Sequence, residues 1–442
     1  MDGKWTSAQV EAVAPDAKAL AAARKLVAGT GWSNDGCGGG SAALWGECAG
    51  SGKKPYQVCI DLDEPAYKCS CPSRKFPCKH AIALLLRWSE GKVAEQAEPA
   101  QFAAEWLKQR TARAEQKEAR ESAPRTEEQE AASRRRAEAR AERVAQGVAD
   151  LARWLDDQAA GGIAGLGRAG YGVFDDVAAR LVDAQAPGLA AAVRRCGSAA
   201  SSGNGWEERL LGELGLLRLL VSAAERVDEL PGPLADTVRS RLGLVPGSDD
   251  VLAGTPVRDT WDVLGMRDTQ DDTLTARAVW LRGRNTGRPA LVLSFAAGNQ
   301  ALPVDLVPGT TLDAGLCFYP GALPLRALVR ERYATIQAEE PAPSSVPLPD
   351  AFDELAVAIG TDPWLDRYPV VVRAVLRTGT PWRLEGDGVS VPLDRLSTPW
   401  DMLAAAGGEA CPVVAEWTPN GLFPLAVYAP DGVVAGTRKA AA

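Results

Sequence analysis

The sequence predicts a multidomain α+β protein, and three observations carry this prediction. The chain has 442 residues, which is enough for two to four domains that each bury their own core. One short stretch, CSCPSRKFPCKH at residues 69–80, holds three of the nine cysteines and the only histidine. Hydrophobic periodicity is helical in the middle of the chain and alternates as in strands after Pro246. We therefore expect a small strand-turn-helix finger, a helical domain and a β-rich C-terminal barrel or sandwich.

The N-terminal domain is predicted to span residues 1–92, with the finger at 51–88. Residues 7–28 have the pattern of two short helices broken at Pro15, and the glycine-rich stretch 29–41 is expected to be a loop. YQVCIDL and AYKCSC alternate as two strands joined by the turn DEPA. HAIALLLRW, which follows the cysteines, is predicted to be a helix.

A charged stretch and a helical domain follow. Residues 93–148 are rich in Ala, Glu, Arg and Gln with both charge signs interspersed, which predicts a helical or disordered spacer. Its basic run RRRAEAR is interleaved with glutamates, so a solvated face is a better interpretation than a nucleic-acid site. Residues 149–243 return to apolar helical periodicity and predict a helical bundle.

The C-terminal region, residues 244–442, is predicted to be β-rich. Alternating segments such as LTARAVWLRG and RPALVLSFA flank an NTG turn, and further short strands follow at turn-bounded intervals. Two small helices are expected near Asp350–Ile359 and Pro399–Ala406. The proline-rich stretch at 340–349 divides the region into two expected subdomains.

The cysteines and the histidine at 69–80 form two pairs with metal-ligand spacing. Cys69 and Cys71 are one residue apart, so on a strand their side chains leave the same face. Cys78 and His80 repeat that gap where a helix begins, and a helix N-terminus favours a thiolate. Three thiolates and an imidazole make a closed tetrahedral set typical of structural zinc. We expect one Zn²⁺ per chain, bound by these four residues.

The alternative is that the cysteines are small buried core residues, since cysteine is often buried. Burial of individual cysteines does not readily explain two equally spaced pairs, one of which includes the only histidine. Cys37, Cys48 and Cys59 are expected to be bystander thiols, although Cys59 on the preceding strand is close enough in sequence to compete as a ligand.

The motif C-x-C-x6-C-x-H, followed by an apolar helix, resembles the SWIM-type zinc finger. CSCPSRKFPCKHAIALLLRW and the upstream LWGECAGSGKKPYQVCIDL are similar to the bacterial branch of this family, and AARLVDAQAPGLA in the helical domain resembles it more weakly. The resemblance implies that Cys69, Cys71, Cys78 and His80 bind one zinc ion. It also implies that the protein acts by binding DNA or proteins.

Composition and charge restrict the protein's location and partners. No apolar run reaches the roughly 20 residues of a membrane span, and the first residues lack a secretory signal, so we expect a cytoplasmic protein without a membrane partner. Residues 244–442 hold 16 Lys+Arg and 24 Asp+Glu, a net charge of −8. This charge argues against binding of a phosphate backbone by the C-terminal half. The sequence does not predict an oligomeric state.

The finger itself is basic, with eight Lys+Arg and four Asp+Glu in residues 51–92. A surface for a protein partner or a nucleic acid is expected around the turn between the ligand pairs, formed by Lys68, Arg74, Lys75, Phe76 and Lys79. In the opposing interpretation these cations are an ordinary solvated face and Phe76 packs beneath the turn. We expect a protein partner, with the chain acting as a regulatory adaptor, and DNA binding through the basic turn as the alternative.

The histidine count argues against an enzyme. If His80 binds zinc, the chain has no other histidine for a catalytic triad, a Cys-His dyad or a histidine general base. A closed zinc site also has no open position at which to activate water. Chemistry based on a carboxylate pair or a lysine is the third possibility, and the sequence shows no recognisable constellation for it. We expect a protein without catalytic residues.

Overall fold

The computed structural model has three sheets and twelve α-helices in its described part. It describes the chain from residue 5 to residue 440, except residues 6, 8–9, 11–12, 16, 39–42, 51, 53, 63–65, 74, 76, 122–126, 271–273, 298–301, 304, 334–341, 395–396, 431 and 436–438. This mixture of helices and sheets, with β structure concentrated in the C-terminal region, confirms the predicted α+β class.

The N-terminal unit is a five-stranded sheet covered by helices. Its elements are α1 (Ala17–Val27), β1 (Trp32–Gly38), β2 (Ala43–Cys48), β3 (Tyr56–Asp61), β4 (Ala66–Cys69), α2 (Lys79–Ser89) and β5 (Glu95–Gln96). The strand order is β4-β3-β2-β1-β5, antiparallel except for the short β1–β5 pair. Eight of the eleven α2 residues are buried, because α2 packs between α1 and the sheet. The predicted finger strands and helix are confirmed.

The glycine-rich stretch was predicted to be a loop, and this prediction is wrong for residues 32–38, which form β1. Glycine is poor in a strand because it has no side chain to pack. Here it is required by close packing, since a Cβ on Gly36 would lie 2.6 Å from the Trp45 ring.

From residue 101 onward the charged stretch is helical wherever the structure describes it, whereas its first residues contain the short strand β5. It contains α3 (Gln101–Glu121) and most of α4 (Glu127–Gly161). The start of α3 packs on the face of the N-terminal sheet opposite α2, with Ala103 buried beside Trp45 and Cys59. Phe102, Trp106 and Leu107 pack at the edge of this cluster, so this end of the stretch is not a solvated face.

The helical domain continues from α4 through five more α-helices. They are α5 (Ala164–Ala169), α6 (Gly172–Asp183), α7 (Pro187–Ala200), α8 (Trp206–Glu225) and α9 (Gly232–Leu242), with a 3-10 helix at Val227–Glu229. Their buried faces share one core that includes Leu151, Phe174, Leu189 and Leu210. The predicted helical bundle is therefore confirmed. The predicted domain limit at residue 148 falls within α4, and the domain limits stay a prediction.

The C-terminal region begins with α10 (Ser248–Leu252) and a closed sheet. Its strands are β6 (Val257–Gln270), β7 (Leu274–Gly283), β8 (Pro289–Ala297), β9 (Thr311–Phe318) and β10 (Arg326–Arg332). They pair in the order β6-β7-β8-β10-β9, and β9 pairs back onto β6, which closes a small barrel. Trp261, Val279, Leu281 and Leu316 lie in the core of this barrel.

A third sheet packs against the outside of the barrel. Its elements are α11 (Leu348–Thr361), β11 (Tyr368–Arg377), β12 (Arg383–Gly386), β13 (Val389–Pro392), α12 (Trp400–Ala406), β14 (Cys411–Thr418), β15 (Gly421–Ala429) and β16 (Gly432–Ala435), while β17 (Lys439–Ala440) pairs with β6. The strand order is β13-β12-β11-β14-β15-β16. Trp280 and Leu291 of the barrel share one buried cluster with Val413 and Leu425 of this sheet.

The C-terminal region contacts both the N-terminal unit and the helical domain. Val307, from the loop between β8 and β9, is buried in the same cluster as the finger helix α2. Thr237 of α9 accepts a hydrogen bond from the Ala322 backbone N–H at 2.9 Å. No helix in the described part of the chain has the length and apolarity that crossing a bilayer requires.

Candidate metal centre

The four predicted ligands come together at the junction of β4 and α2. Antiparallel pairing of Val58 with Cys69 fixes the end of β4, and the Ser70 backbone N–H donates to the Gln57 carbonyl at 3.0 Å. Cys71 follows immediately. Cys78 is the N-cap residue of α2, and His80 lies in its first turn. The strand therefore positions the first ligand pair and the helix positions the second.

The distances among the donor atoms fit one zinc ion. One donor atom from each of the four side chains lies within 4.8 Å of all the others. The Sγ atoms of Cys69 and Cys78 are 3.8 and 3.9 Å from Nδ1 of His80. In a tetrahedral site with ordinary Zn–S and Zn–N bond lengths, sulfur and nitrogen ligands are about 3.6 Å apart. The cluster needs only a small contraction to bind zinc through Nδ1.

The site is enclosed rather than open to solvent. Cys78 and His80 are buried, and Cys69 and Cys71 are half-buried. The Tyr56 ring lies over the imidazole, with ring centroids 4.9 Å apart. Tyr56 could not be identified from the sequence, because a tyrosine at the start of a strand carries no signal of what its ring contacts. A closed site of this kind is typical of structural zinc.

The thiols are electrostatically coupled before any metal binds. The pKa of the Cys78 thiol is lowered, chiefly because Cys69 hydrogen-bonds to its thiolate, and His80 adds a second hydrogen bond. The pKa of Cys69 is raised by the same hydrogen bond to Cys78 and by burial. Burial also raises the pKa of Cys71. Zinc binding therefore requires release of thiol protons.

The three bystander cysteines are not part of the donor cluster. Cys59 is adjacent to Val58 on β3, and side chains alternate between the faces of a strand. Val58 packs on the α2 side, so Cys59 faces α3, where burial raises the pKa of its thiol to about 12. Cys37 and Cys48 are buried, and their Sγ atoms lie 3.6 and 3.7 Å from the carbonyls of Ala94 and Ala49.

The predicted partner surface is described only in part. Lys68 on β4, Lys75 in the turn and Lys79 at the start of α2 are exposed. The Ser73 hydroxyl accepts a hydrogen bond from the Lys75 backbone N–H at 3.2 Å, which folds this part of the turn. Arg74 and Phe76 lie outside the described residues, so the placement of the Phe76 ring stays a prediction.

Two other cations of the finger, Arg87 and Lys92, are paired within the protein. Arg87 donates to Asp35 at 2.9 Å and lies over the Trp32 ring. Lys92 is 2.5 Å from Glu90. Internal pairing therefore reduces the positive charge that the finger offers to an external phosphate.

Comparisons with known families match two separate parts of the chain. The SWIM zinc finger matches residues 56–89, from the start of β3 to the end of α2. A SWIM-associated four-helix bundle domain matches residues 139–242, which span α4 to α9. No curated protein and no solved structure matches the chain. The first match contains all four ligands, and the second includes the helical segment AARLVDAQAPGLA.

Proposed function

We propose that this chain, a SWIM-type zinc finger protein, is a non-catalytic interaction protein whose finger docks a protein partner, as a regulatory adaptor. One observation carries the proposal. The four ligands and the α2 helix are enclosed, while Lys68, Lys75 and Lys79 are exposed around them. These three exposed lysines are called the rim. A rigid turn held by zinc, with this rim around it, is suited to contacting a partner protein.

Zinc has a structural role in this proposal. Cys69, Cys71, Cys78 and His80 would hold it and so cross-link the end of β4 to the start of α2. Four protein ligands complete a tetrahedron, so no position remains for a reacting water molecule. The only histidine of the chain is one of these ligands, which supports a role without histidine-based catalysis.

Charge favours a protein partner over a nucleic acid. Duplex binding gains its affinity from many neutralised phosphates. Arg87 and Lys92 of the finger are paired with carboxylates in the protein, and residues 244–442 carry a net −8. An acidic patch on a folded partner needs only a few cations and fits this surface better. A cytoplasmic location is part of the proposal.

The test reverses charge at the exposed rim. The double variant Lys68→Glu, Lys75→Glu keeps all four zinc ligands and makes the net charge of the finger more negative by four units. Lys18→Glu combined with Lys92→Glu makes the same change at exposed lysines away from the turn. Each variant is loaded with zinc, and binding proteins from the native lysate are quantified by mass spectrometry and then purified for titration. The proposal expects a purified partner that binds the wild type and the control with similar affinity and binds the rim variant at least about tenfold more weakly.

The alternative is a DNA-binding finger that uses the same basic turn. Fluorescence anisotropy with duplex and single-stranded DNA distinguishes the two. DNA binding that weakens steeply with salt and is lost in the rim variant alone would replace the protein-partner proposal. If the rim and control variants behave identically towards both proteins and DNA, this surface has no docking role.

A further inference from the structure

The C-terminal barrel has the strand order of a known ligand-binding architecture. Its five strands pair as β6-β7-β8-β10-β9 and close between β9 and β6. All neighbouring pairs are antiparallel except β8 and β10, which are parallel. A closed five-stranded barrel whose third and fifth strands pair in parallel has OB-fold topology. OB-folds bind oligonucleotides and oligosaccharides on the face of their second and third strands and on the flanking loops.

The structure has a cavity of about 300 Å³ at this position. Leu291, Leu293 and Phe295, alternate residues of β8, line one side of it, and Ala276 and Ala278 of β7 lie beside them. The loop between β9 and β10, the counterpart of the loop that closes the binding face of an OB-fold, contributes its residues 319–325. At about 3.3 Å per residue the cavity extends about 13 Å along β8.

The cavity is completed by other regions of the chain. Thr237 and Arg241 of α9 line it on one side, and the segment 362–367 after α11 lines it on another. Arg241 donates to Asp362 at 2.6 Å and lies 3.7 Å from Asp366, which joins these two walls. Ligand cavities are common at junctions between domains.

The lining combines an aromatic surface with cations. Phe295 is 52% exposed, and Leu291 and Leu293 line the cavity on the same side of β8. The Arg326 guanidinium lies 4.2 Å from the Tyr319 ring centroid and makes no ion pair with any described residue. Arg367 reaches the cavity from the other side, with Glu416 3.8 Å away. Aromatic side chains that stack on bases and arginines that bind phosphates are the chemistry of single-stranded nucleic-acid sites on OB-folds.

We propose that this cavity binds a nucleotide, with its base against Phe295 and its phosphate at Arg326 and Arg367. The cavity is the size of one or two nucleotides rather than a long groove, and the net −8 of residues 244–442 disfavours a long phosphate backbone. A base joined to a phosphate can come from a free nucleotide or from a short single strand. The site is separate from the zinc ligands and does not depend on the proposed docking surface.

The test is calorimetric titration of the zinc-loaded full chain with AMP, GMP, CMP and UMP and with short oligo(dT) and oligo(rU). Phe295→Ala and Arg326→Ala are each expected to weaken binding about tenfold or more. Trp400→Ala, at another exposed aromatic, and Arg330→Ala, on the same strand as Arg326, are the matched controls and should bind as the wild type. Thermal unfolding checks that all four variants fold.

The titrations distinguish a free nucleotide from a short single strand as the ligand. Binding of mononucleotides identifies a free nucleotide as the ligand, and binding of the oligomers alone identifies a single strand. The proposal is overturned if none of the probes binds, if a glucan oligosaccharide binds and they do not, or if Phe295→Ala and Arg326→Ala bind as tightly as the controls. Nucleotide binding that falls in the Lys68→Glu, Lys75→Glu variant and is unchanged in Phe295→Ala and Arg326→Ala would place the site at the finger instead.

Discussion

The finger and the C-terminal barrel show two different ways of fixing a small β unit. The finger joins a strand to a helix through four side chains within 4.8 Å of one another, so metal coordination can replace apolar contacts in the turn. The barrel closes its sheet on itself and fills the interior with residues such as Trp261 and Leu281. The finger therefore depends on a ligand, whereas the barrel depends on packing and on buried polar pairs.

Removing zinc should have the largest effect, and only in the finger. Structural zinc contributes about 10 kcal/mol or more of binding free energy in small zinc domains. We expect chelation to raise the hydrogen-exchange rates of the Cys71, Cys78 and His80 amides at least about a hundredfold, measured by mass spectrometry. Amides of the barrel strands β6–β10 should exchange at unchanged rates. If chelation raised the exchange rates of the finger and the barrel equally, zinc would not be what distinguishes the finger from the barrel.

Glu416 should be the most sensitive single residue between the barrel and the third sheet. Its carboxylate is fully buried and accepts hydrogen bonds at 2.8 Å from both Arg267 and the Trp280 indole. Glu416→Gln leaves Arg267 without its charge partner, so we expect the free energy of unfolding to fall by about 3 kcal/mol in urea denaturation. Zinc content should stay at the wild-type value. If Glu416→Gln has the wild-type free energy of unfolding, the Arg267–Glu416 ion pair does not stabilise the fold.

Asp259 anchors the hairpin between β7 and β8 and should give the barrel a pH dependence. It is buried and accepts hydrogen bonds from the backbone and side chains of Asn285 and Thr286. Burial alone raises its pKa, but these hydrogen bonds outweigh burial and hold the pKa below its usual value. We expect Asp259→Asn to lower the free energy of unfolding by about 2 kcal/mol at neutral pH.

The sign of the pH effect follows from the lowered pKa. The stabilisation by Asp259 is complete above the unfolded pKa of about 3.9 and is lost as the pH falls through the lower folded value. The difference in unfolding free energy between wild type and Asp259→Asn should therefore shrink below pH 4. A difference that stays constant across this range would mean that the carboxylate charge is not what stabilises the hairpin.

The smallest effect is expected at Cys59. Its side chain lies on the face of the sheet opposite the zinc ligands, so Cys59→Ala should keep full zinc content and cost about 1 kcal/mol of stability through lost packing. Loss of zinc from this variant would show that Cys59 exchanges with one of the four ligands.

The sequence predicted the finger better than it predicted the barrel. The four ligands lie within twelve residues, so their chemistry could be recognised locally. The strand in YQVCIDL and the helix HAIALLLRW formed as predicted, whereas the strand predicted for AYKCSC ends at Cys69 and leaves Cys71 beyond it. The β1 strand was missed because Gly36 is required by the Trp45 ring, a contact that exists only in the folded protein.

For the barrel, the strands β7 and β8 were predicted from their alternation, but the closure was not. The longest strand, β6, has charged residues throughout its sequence VRDTWDVLGMRDTQ and carries no simple alternation. Its pairing with both β7 and β9 depends on residues far apart in the chain, and sequence periodicity holds no information about such pairings. The cavity between β8, α9 and the segment 362–367 arises only from these long-range contacts.

The zinc content of the purified chain tests the central claim most directly. Elemental analysis of the wild type should find one zinc ion per chain, bound by the Cys69, Cys71, Cys78 and His80 cluster. Cys71→Ala and His80→Ala should each lose the metal, while Cys59→Ala retains it. Full zinc occupancy in Cys71→Ala and His80→Ala would contradict the assignment of this site.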